Sequence, residues 1–221
     1  MYDFSNIKIL IGTPAYAGQC YTGYTESLLY TMMLLSQYNI KANVKFVNNQ
    51  LVTRARNMIC SIFMNDDSYT HLLFIDADIK WSPEHVLMLL EHDLECSIGI
   101  YPNKQYYKIN GNLILKPSSS IINPHIEKGT LIKVNKAATG FMLIKKSALI
   151  KIQNDVETFY LPGDNGDILL HNYFDCKVVD NDYLTEDYYF SYLLNKNHGE
   201  IWADKRIKLL HIGTHNYGEL I

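Results

Sequence analysis

Two kinds of pattern alternate through the first hundred residues, and that alternation constrains the fold more than any other feature. The segments "IKILIG" (7–12), "HLLFID" (71–76) and "CSIGIY" (96–101) are short apolar runs. Their length and β-branching read as buried strands. A fourth segment, "ANVKFV" (42–47), alternates apolar and polar residues and reads as a strand as well. Between these lie stretches with apolar residues at helical spacing. One runs from Thr25 to Tyr38 with Leu28, Met32 and Leu35 in phase, and another from Thr53 to Met64 with Met58, Ile59, Ile62 and Phe63. A third carries Val86, Leu89 and Leu90 inward, and its start is marked: Ser82 suits a cap, Pro83 the first helical position and Glu84 the helix dipole. Strands alternating with helices imply parallel pairing with right-handed crossovers.

The second half changes character. "YYKINGNLIL" is strand, Asn-Gly, strand, which predicts a hairpin. "KPSSSIINPH" reads as a loop and as the most mobile segment. "GTLIKVN" and "ATGFMLIKK" read as strands, "KSALIKI" as a short helix, and "LPGDNGD" as part of a long loop. A helix is expected over about Glu186–Asn197, followed by the short strands "EIWAD" and "IKLLHI". No repeat, low-complexity tract or linker interrupts the chain. One α/β domain over residues 1–221 is expected, with a parallel half that binds and a mixed half that completes the site.

Composition narrows the function classes. A net charge of −3 argues against a general nucleic-acid binder, which would carry a basic face. No window approaches the length of a membrane span, and the start "MYDFSNIKILIG" lacks a basic region followed by a long apolar one. A soluble, cytoplasmic protein is the expectation. The four cysteines have no metal-ligand spacing and read as small buried hydrophobes.

The strand "HLLFID" ends in two acids, Asp76 and Asp78, with Ala77 between them. In open α/β sheets, ligands sit outside the carboxyl ends of the strands. Alternation puts both carboxylates on one side if the strand continues. Two hard oxygen donors so placed suit Mg²⁺ or Mn²⁺, which bind a few carboxylates plus a substrate's phosphates. Without that context, the bland reading of a helix start and a strand cap would prevail. "LVTRARNMI" concentrates Arg54, Arg56 and Asn57 at a helix start, and "YLTEDYYFSYLL" places Thr185, Glu186 and Asp187 at another. Ordinary capping explains the latter when it is taken alone. "LLHIGTHNYG" delivers His211 and His215 late in the chain.

The order of these motifs, from "GTP" through "RARN", "LLFIDADIKWSPEHV", "IGIYPNK", "TGFMLIKKSAL" and "FDCKVVDNDYLTEDYYFSYLL" to "GEIWADKRIKLLHIG", resembles the GT-A-fold nucleotide-sugar glycosyltransferases, in particular small single-domain enzymes of phages and large DNA viruses. The resemblance implies a GT-A-like, Rossmann-like domain. Residues 1–101 would form the nucleotide-binding half and residues 102–221 the acceptor-binding and catalytic half. It implies that "DAD" is the D-x-D element: Asp78 would hold the metal directly, and Asp76 would contact ribose or the metal through water. Ala77 and Pro14 would flank the nucleotide. Thr13 would touch the nucleobase or ribose, and Arg56 would sit near the diphosphate or pin the D-x-D loop. His211 would complete the metal site, and Asp187 of "TED" would be the catalytic base with Glu186 beside it. Gly140 and Phe141 would floor the acceptor side.

The donor implied is a nucleoside-diphosphate sugar, by default a UDP-sugar. The acceptor is a hydroxyl on a glycan, glycoprotein or other molecule, and the location the host cytoplasm if the protein is viral. The absence of a Q-x-x-R-W element favours transfer of a single sugar over processive synthesis. Two rival readings are a sugar-nucleotide nucleotidyltransferase and a non-catalytic carbohydrate-binding protein. "GTPAYAGQC" has no Lys or Arg to grip a triphosphate, which counts against the first. A D-x-D at a strand end counts against the second. Periodicity adds a tension of its own, because it puts Glu186 on the inward face with Phe190, Leu193 and Leu194, where it could pair with a cation such as Arg56. Oligomeric state is not legible.

Overall fold

A computed structural model describes residues 3–109, 112–121, 127–163, 166–213 and 216–218. Five strands and three helices make up the N-terminal alternation: β1 (Lys8–Pro14), α1 (Thr22–Gln37), β2 (Lys41–Val47), α2 (Val52–Met64), β3 (His71–Ile75), the two-residue β4 (Ile79–Lys80), α3 (Glu84–Glu91) and β5 (Cys96–Ile98). The predicted hairpin follows as β6 (Pro102–Ile109) and β7 (Asn112–Pro117), antiparallel as expected. Its Asn-Gly turn lies outside the described residues. Next come the short β8 (Ser120–Ile121) and β9 (Glu127–Lys128), then β10 (Leu131–Lys136), β11 (Phe141–Lys145) and α4 (Lys146–Ile152). Two small hairpins pair β12 (Thr158–Leu161) with β13 (Ile168–His171) and β14 (Lys177–Val179) with β15 (Asp182–Leu184). The chain continues through α5 (Glu186–Lys196), β16 (Ile201–Asp204), β17 (Leu210–Ile212) and β18 (Asn216–Tyr217).

The central sheet runs β2-β1-β3-β11-β5-β16-β10-β8, with β9 also paired to β10. β1 lies parallel to both β2 and β3, as the alternation predicts. β5 departs from that pattern. It does not pair with the other early strands, because β11 inserts antiparallel between β3 and β5. The sheet is therefore mixed, and α/β overall. β3 and β11 are buried almost throughout (His71 to Ile75, Phe141 to Ile144), which suits strands covered on both faces. One core cluster packs α2, α4 and α5 on one side of the sheet through Ile59, Phe63, Leu149, Phe174, Phe190 and Leu194. The other packs α1 and α3 through Tyr24, Leu35, Trp81, Val86 and Leu90.

Several sequence expectations need correction. Ser82 makes no side-chain capping bond to α3; its carbonyl accepts from His85 N instead. The long loop through "LPGDNGD" contains strand residues, because β12 and β13 flank it. The part of "KPSSSIINPH" that is described is anchored: Ser118 and Ser119 are buried, and Ser119 Oγ accepts from Ala138 N at 3.0 Å. Cys60 and Cys96 are buried as expected, but Cys20 and Cys176 are exposed. No helix among the described residues is long and apolar enough to cross a membrane.

Candidate active site

The "DAD" loop begins where β3 ends, and three distant segments fix its backbone. Asp76 N donates to Gly140 O at 3.1 Å, Tyr21 N donates to Ala77 O at 2.9 Å, and Ile212 N donates to Asp78 O at 2.7 Å. The first bond extends the β3–β11 ladder. The last extends the pairing of β17 with β4, which seats His211 opposite Ile79. A late histidine is thus brought beside Asp78 by strand register, not by chance proximity.

The two acids have different partners. Asp76 is paired with Arg56, whose Nη2 lies 3.0 Å and 3.3 Å from its two oxygens. Asp78 faces Lys104 in direct ion-pair contact and His211 Nε2 at 3.5 Å. Burial pushes the Asp78 carboxyl up, but His211 and Lys104 outweigh it and hold it below the ordinary carboxylate range. His211 Nδ1 lies 2.9 Å from Pro102 O. A carbonyl can only accept, so that nitrogen carries the proton, and the lone pair of a neutral ring sits on Nε2, facing Asp78.

Arg56 is 4% exposed on the buried face of α2 and links two acids. Besides Asp76 it has Glu186 Oε1 at 3.5 Å from Nε. Burial opposes its charge, and the fields of Asp76, Glu186 and Asp187 overcome that and raise its pKa. Its Nε and Nη1 have no hydrogen-bond partner among the described residues. Such buried donors are costly unless a ligand takes them. The inward phase of Glu186 and its pairing with Arg56 follow the periodicity of α5.

Asp187 occupies the first turn of α5. Its Oδ1 accepts from Thr185 Oγ1 and from Tyr188 N. Thr185 thus orients the neighbouring acid and does not cap the helix through its side chain. Burial lifts the Asp187 carboxyl to about 6, against the lowering effect of its hydrogen bonds and Arg56. Tyr101 stands between these groups. It is 6% exposed, its ring meets His211 edge-on at 5.0 Å, and its hydroxyl accepts from Gly140 N at 3.0 Å. A Cβ on Gly140 would lie 2.4 Å from that hydroxyl, so only glycine permits the approach.

A cavity of about 690 Å³ opens beside the loop, lined by Pro14, Tyr16, Tyr21, Asn49, Arg56, Asp76, Ala77 and Asp78 among others. Five of the positions expected near a nucleotide line it. Thr13 does not. It is fully buried, and its hydroxyl meets Tyr24 Oη at 2.5 Å, because alternation along β1 turns it into the core. Pro14 takes the place at the wall. Sequence reasoning missed Tyr16, Tyr21, Asn49 and Lys104. Position just beyond the ends of β1 and β2 was the signal for Tyr16 and Asn49. Among the aromatics near these segments, Trp81, Tyr101 and Tyr189 are buried, Tyr188 is part-buried and Tyr106 is exposed. His215 lies outside the described residues.

Among the described residues, no three His, Cys, Asp or Glu side chains are gathered closely enough to hold a metal by themselves. Asp76 is drawn off by Arg56, which leaves Asp78 and His211 as the protein donors. That set still fits Mn²⁺ or Mg²⁺, which take few protein ligands and fill the rest from phosphates and water.

This chain has a GT-A-like, Rossmann-like α/β fold. The crystal structure of A197 from STIV is similar to it with a TM-score of 0.52 at 16% identity, over 94% of this chain and 86% of that one. That of GalNAc-T7 with UDP, GalNAc and Mn²⁺ is similar with a TM-score of 0.50 at 10% identity, over 94% of this chain and 44% of that one. No family model matches the sequence, and no curated protein matches it.

Proposed function

We propose that this protein is a glycosyltransferase that moves one sugar from a nucleoside-diphosphate sugar, by default a UDP-sugar, to an acceptor hydroxyl with inversion. The observation that carries the reading is that four separate segments meet at the D-x-D loop: Arg56 pairs with Asp76, His211 faces Asp78, and Asp187 lies within the field of Arg56. The cavity beside that loop has the volume of a small-molecule site, with aromatic walls in Tyr16 and Tyr21 and polar groups in Asn49 and Arg56.

In this reading the nucleoside lies between Pro14, Tyr16 and Tyr21. Arg56, at the wall of the cavity, lends its positive field to the diphosphate. Asp78 and His211 hold Mn²⁺ or Mg²⁺, which supplies Lewis-acid neutralisation of the departing diphosphate. Asp187 takes the proton of the acceptor hydroxyl as its oxygen attacks the anomeric carbon. The bond from that carbon to the diphosphate oxygen breaks, and the nucleoside diphosphate leaves. A carboxyl near 6 is still ionised at neutral pH yet more basic than an ordinary aspartate, which suits a general base. Glu186 keeps Arg56 in register and stays out of the proton transfer.

Slow hydrolysis of UDP-sugars with and without Mn²⁺, followed by transfer to a panel of sugar acceptors, tests the proposal. Binding of UDP-sugar without hydrolysis or transfer would indicate a carbohydrate- or nucleotide-binding protein. Release of pyrophosphate from a nucleoside triphosphate and a sugar phosphate would indicate a nucleotidyltransferase. NMR of the product's anomeric centre decides inversion.

A further inference from the structure

Lys104 is absent from the chemistry above, yet it makes the direct ion pair with Asp78. It projects from β6, two residues beyond Pro102, whose carbonyl fixes His211. Both groups converge on Asp78 Oδ2: Lys104 through its ammonium and His211 through Nε2. The lysine is part-exposed, and its ammonium lies 5.9 Å from the ring centroid of Tyr21, a wall of the cavity. Arg56, the other cation of the site, is held by Asp76 and Glu186.

We propose that Lys104 is a resident counter-ion that holds Asp78 in the free protein, yields it to a divalent cation, and then serves the diphosphate of the donor. This inference rests on the reading of Asp78 and His211 as metal donors. One carboxylate oxygen cannot hold an ammonium and a divalent ion together, since the two cations repel at contact distance. A divalent ion on Asp78 therefore weakens the lysine's hold on Oδ2 and drives it off. Its flexible stem and its place at the mouth of the cavity leave the donor's diphosphate as the anion within reach. Metal and nucleotide binding are thereby coupled: the metal alone must displace Lys104, whereas nucleotide offers the displaced ammonium a new partner.

The coupling predicts shifts of opposite sign in one variant. In Mn²⁺ titrations without nucleotide, read by calorimetry or by the EPR signal of free Mn²⁺, Lys104→Met binds the ion about two- to fivefold more tightly than wild type, the range of a part-exposed ion pair. Lys104→Arg retains the wild-type affinity, and Asp78→Asn loses binding. With Mn²⁺ saturating, UDP binds Lys104→Met more weakly than wild type. Thermal melting of each variant confirms that the fold is kept, which the exposed position of Lys104 favours. Equal Mn²⁺ affinity in wild type and Lys104→Met, with binding lost in Asp78→Asn, would overturn the role of Lys104 and leave the metal site standing. Mn²⁺ binding that Asp78→Asn does not reduce would overturn the metal reading, and this inference with it. Unchanged or tighter UDP binding in Lys104→Met would overturn the hand-over to the diphosphate.

Discussion

Asp187 carries the sharpest predictions at the scale of single residues. Its pKa is lifted from 3.8 to about 6 by burial. The ionised form is needed to accept a proton, so transfer should rise with pH and level off above about 6. Asp187→Asn should cut turnover by about 10²–10⁴-fold, the usual contribution of a general base, while nucleotide binding persists. The same shift has a stability consequence. A carboxyl whose folded pKa is raised contributes its full stability below about pH 4, and loses it as pH rises through about 6. Asp187→Asn should therefore melt higher than wild type at pH 8, with the advantage vanishing in acid; thermal melts across that range check it. Glu186→Gln should behave differently. It loosens Arg56, so nucleotide affinity falls along with turnover, and the pH midpoint moves lower, because the Glu186 charge helps hold the Asp187 carboxyl up. A dead Glu186→Gln beside an active Asp187→Asn would reverse the roles. Two contacts were legible in the sequence: helical phase pairs Glu186 with Arg56, and motif order sets His211 beside Asp78. The sequence could not place Thr13, whose side chain faces Tyr24, or Lys104, because strand register decides those orientations and a single sequence does not state register.

At the scale of elements, α2 does more than bury an apolar face. Asn57 sits one residue beyond Arg56 and is fully buried. Its amide donates to Phe174 O at 2.9 Å and Asn172 Oδ1 at 2.8 Å, and its Oδ1 accepts from Phe174 N at 3.0 Å. That clamp ties α2 to the segment between β13 and β14. Asn57→Leu strands the backbone groups of Phe174 in the core and should cost about 1–3 kcal/mol, read from urea unfolding. Gly140→Ala sets a methyl against the Tyr101 hydroxyl and should cost a similar amount, about 1–3 kcal/mol. It should also weaken Mn²⁺ binding, since Tyr101 braces His211. Helices and long strands were readable from periodicity, with ends within a few residues. The small hairpins β12–β13 and β14–β15 were not, because strands of three or four residues leave no period to detect, and Val178 and Tyr160 point outward.

Across the whole molecule, the order of the central sheet differs from the order of the chain. The N-terminal half reads as a unit in sequence, but among the described residues β5 finds its sheet partners in β11 and β16. A fragment ending at residue 128 should therefore show no cooperative melting transition, although it holds the whole D-x-D loop. A fragment that melts cooperatively would mean that β1, β2 and β3 suffice as a nucleus. Parallel pairing was inferred from alternation, and it holds for β1, β2 and β3. The insertion of β11 was hidden because a fully buried strand looks the same whichever way it runs. That insertion also shapes how the protein is made. A ribosome emits β3 well before β11, and at roughly 5–20 residues per second the interval lasts on the order of seconds. During that time one apolar edge of the nascent sheet has nothing to pair with, which is the condition under which growing chains cling to one another. Yield in a heterologous host should then depend on translation speed and on chaperones that shield a half-made sheet, more than on the stability of the finished protein.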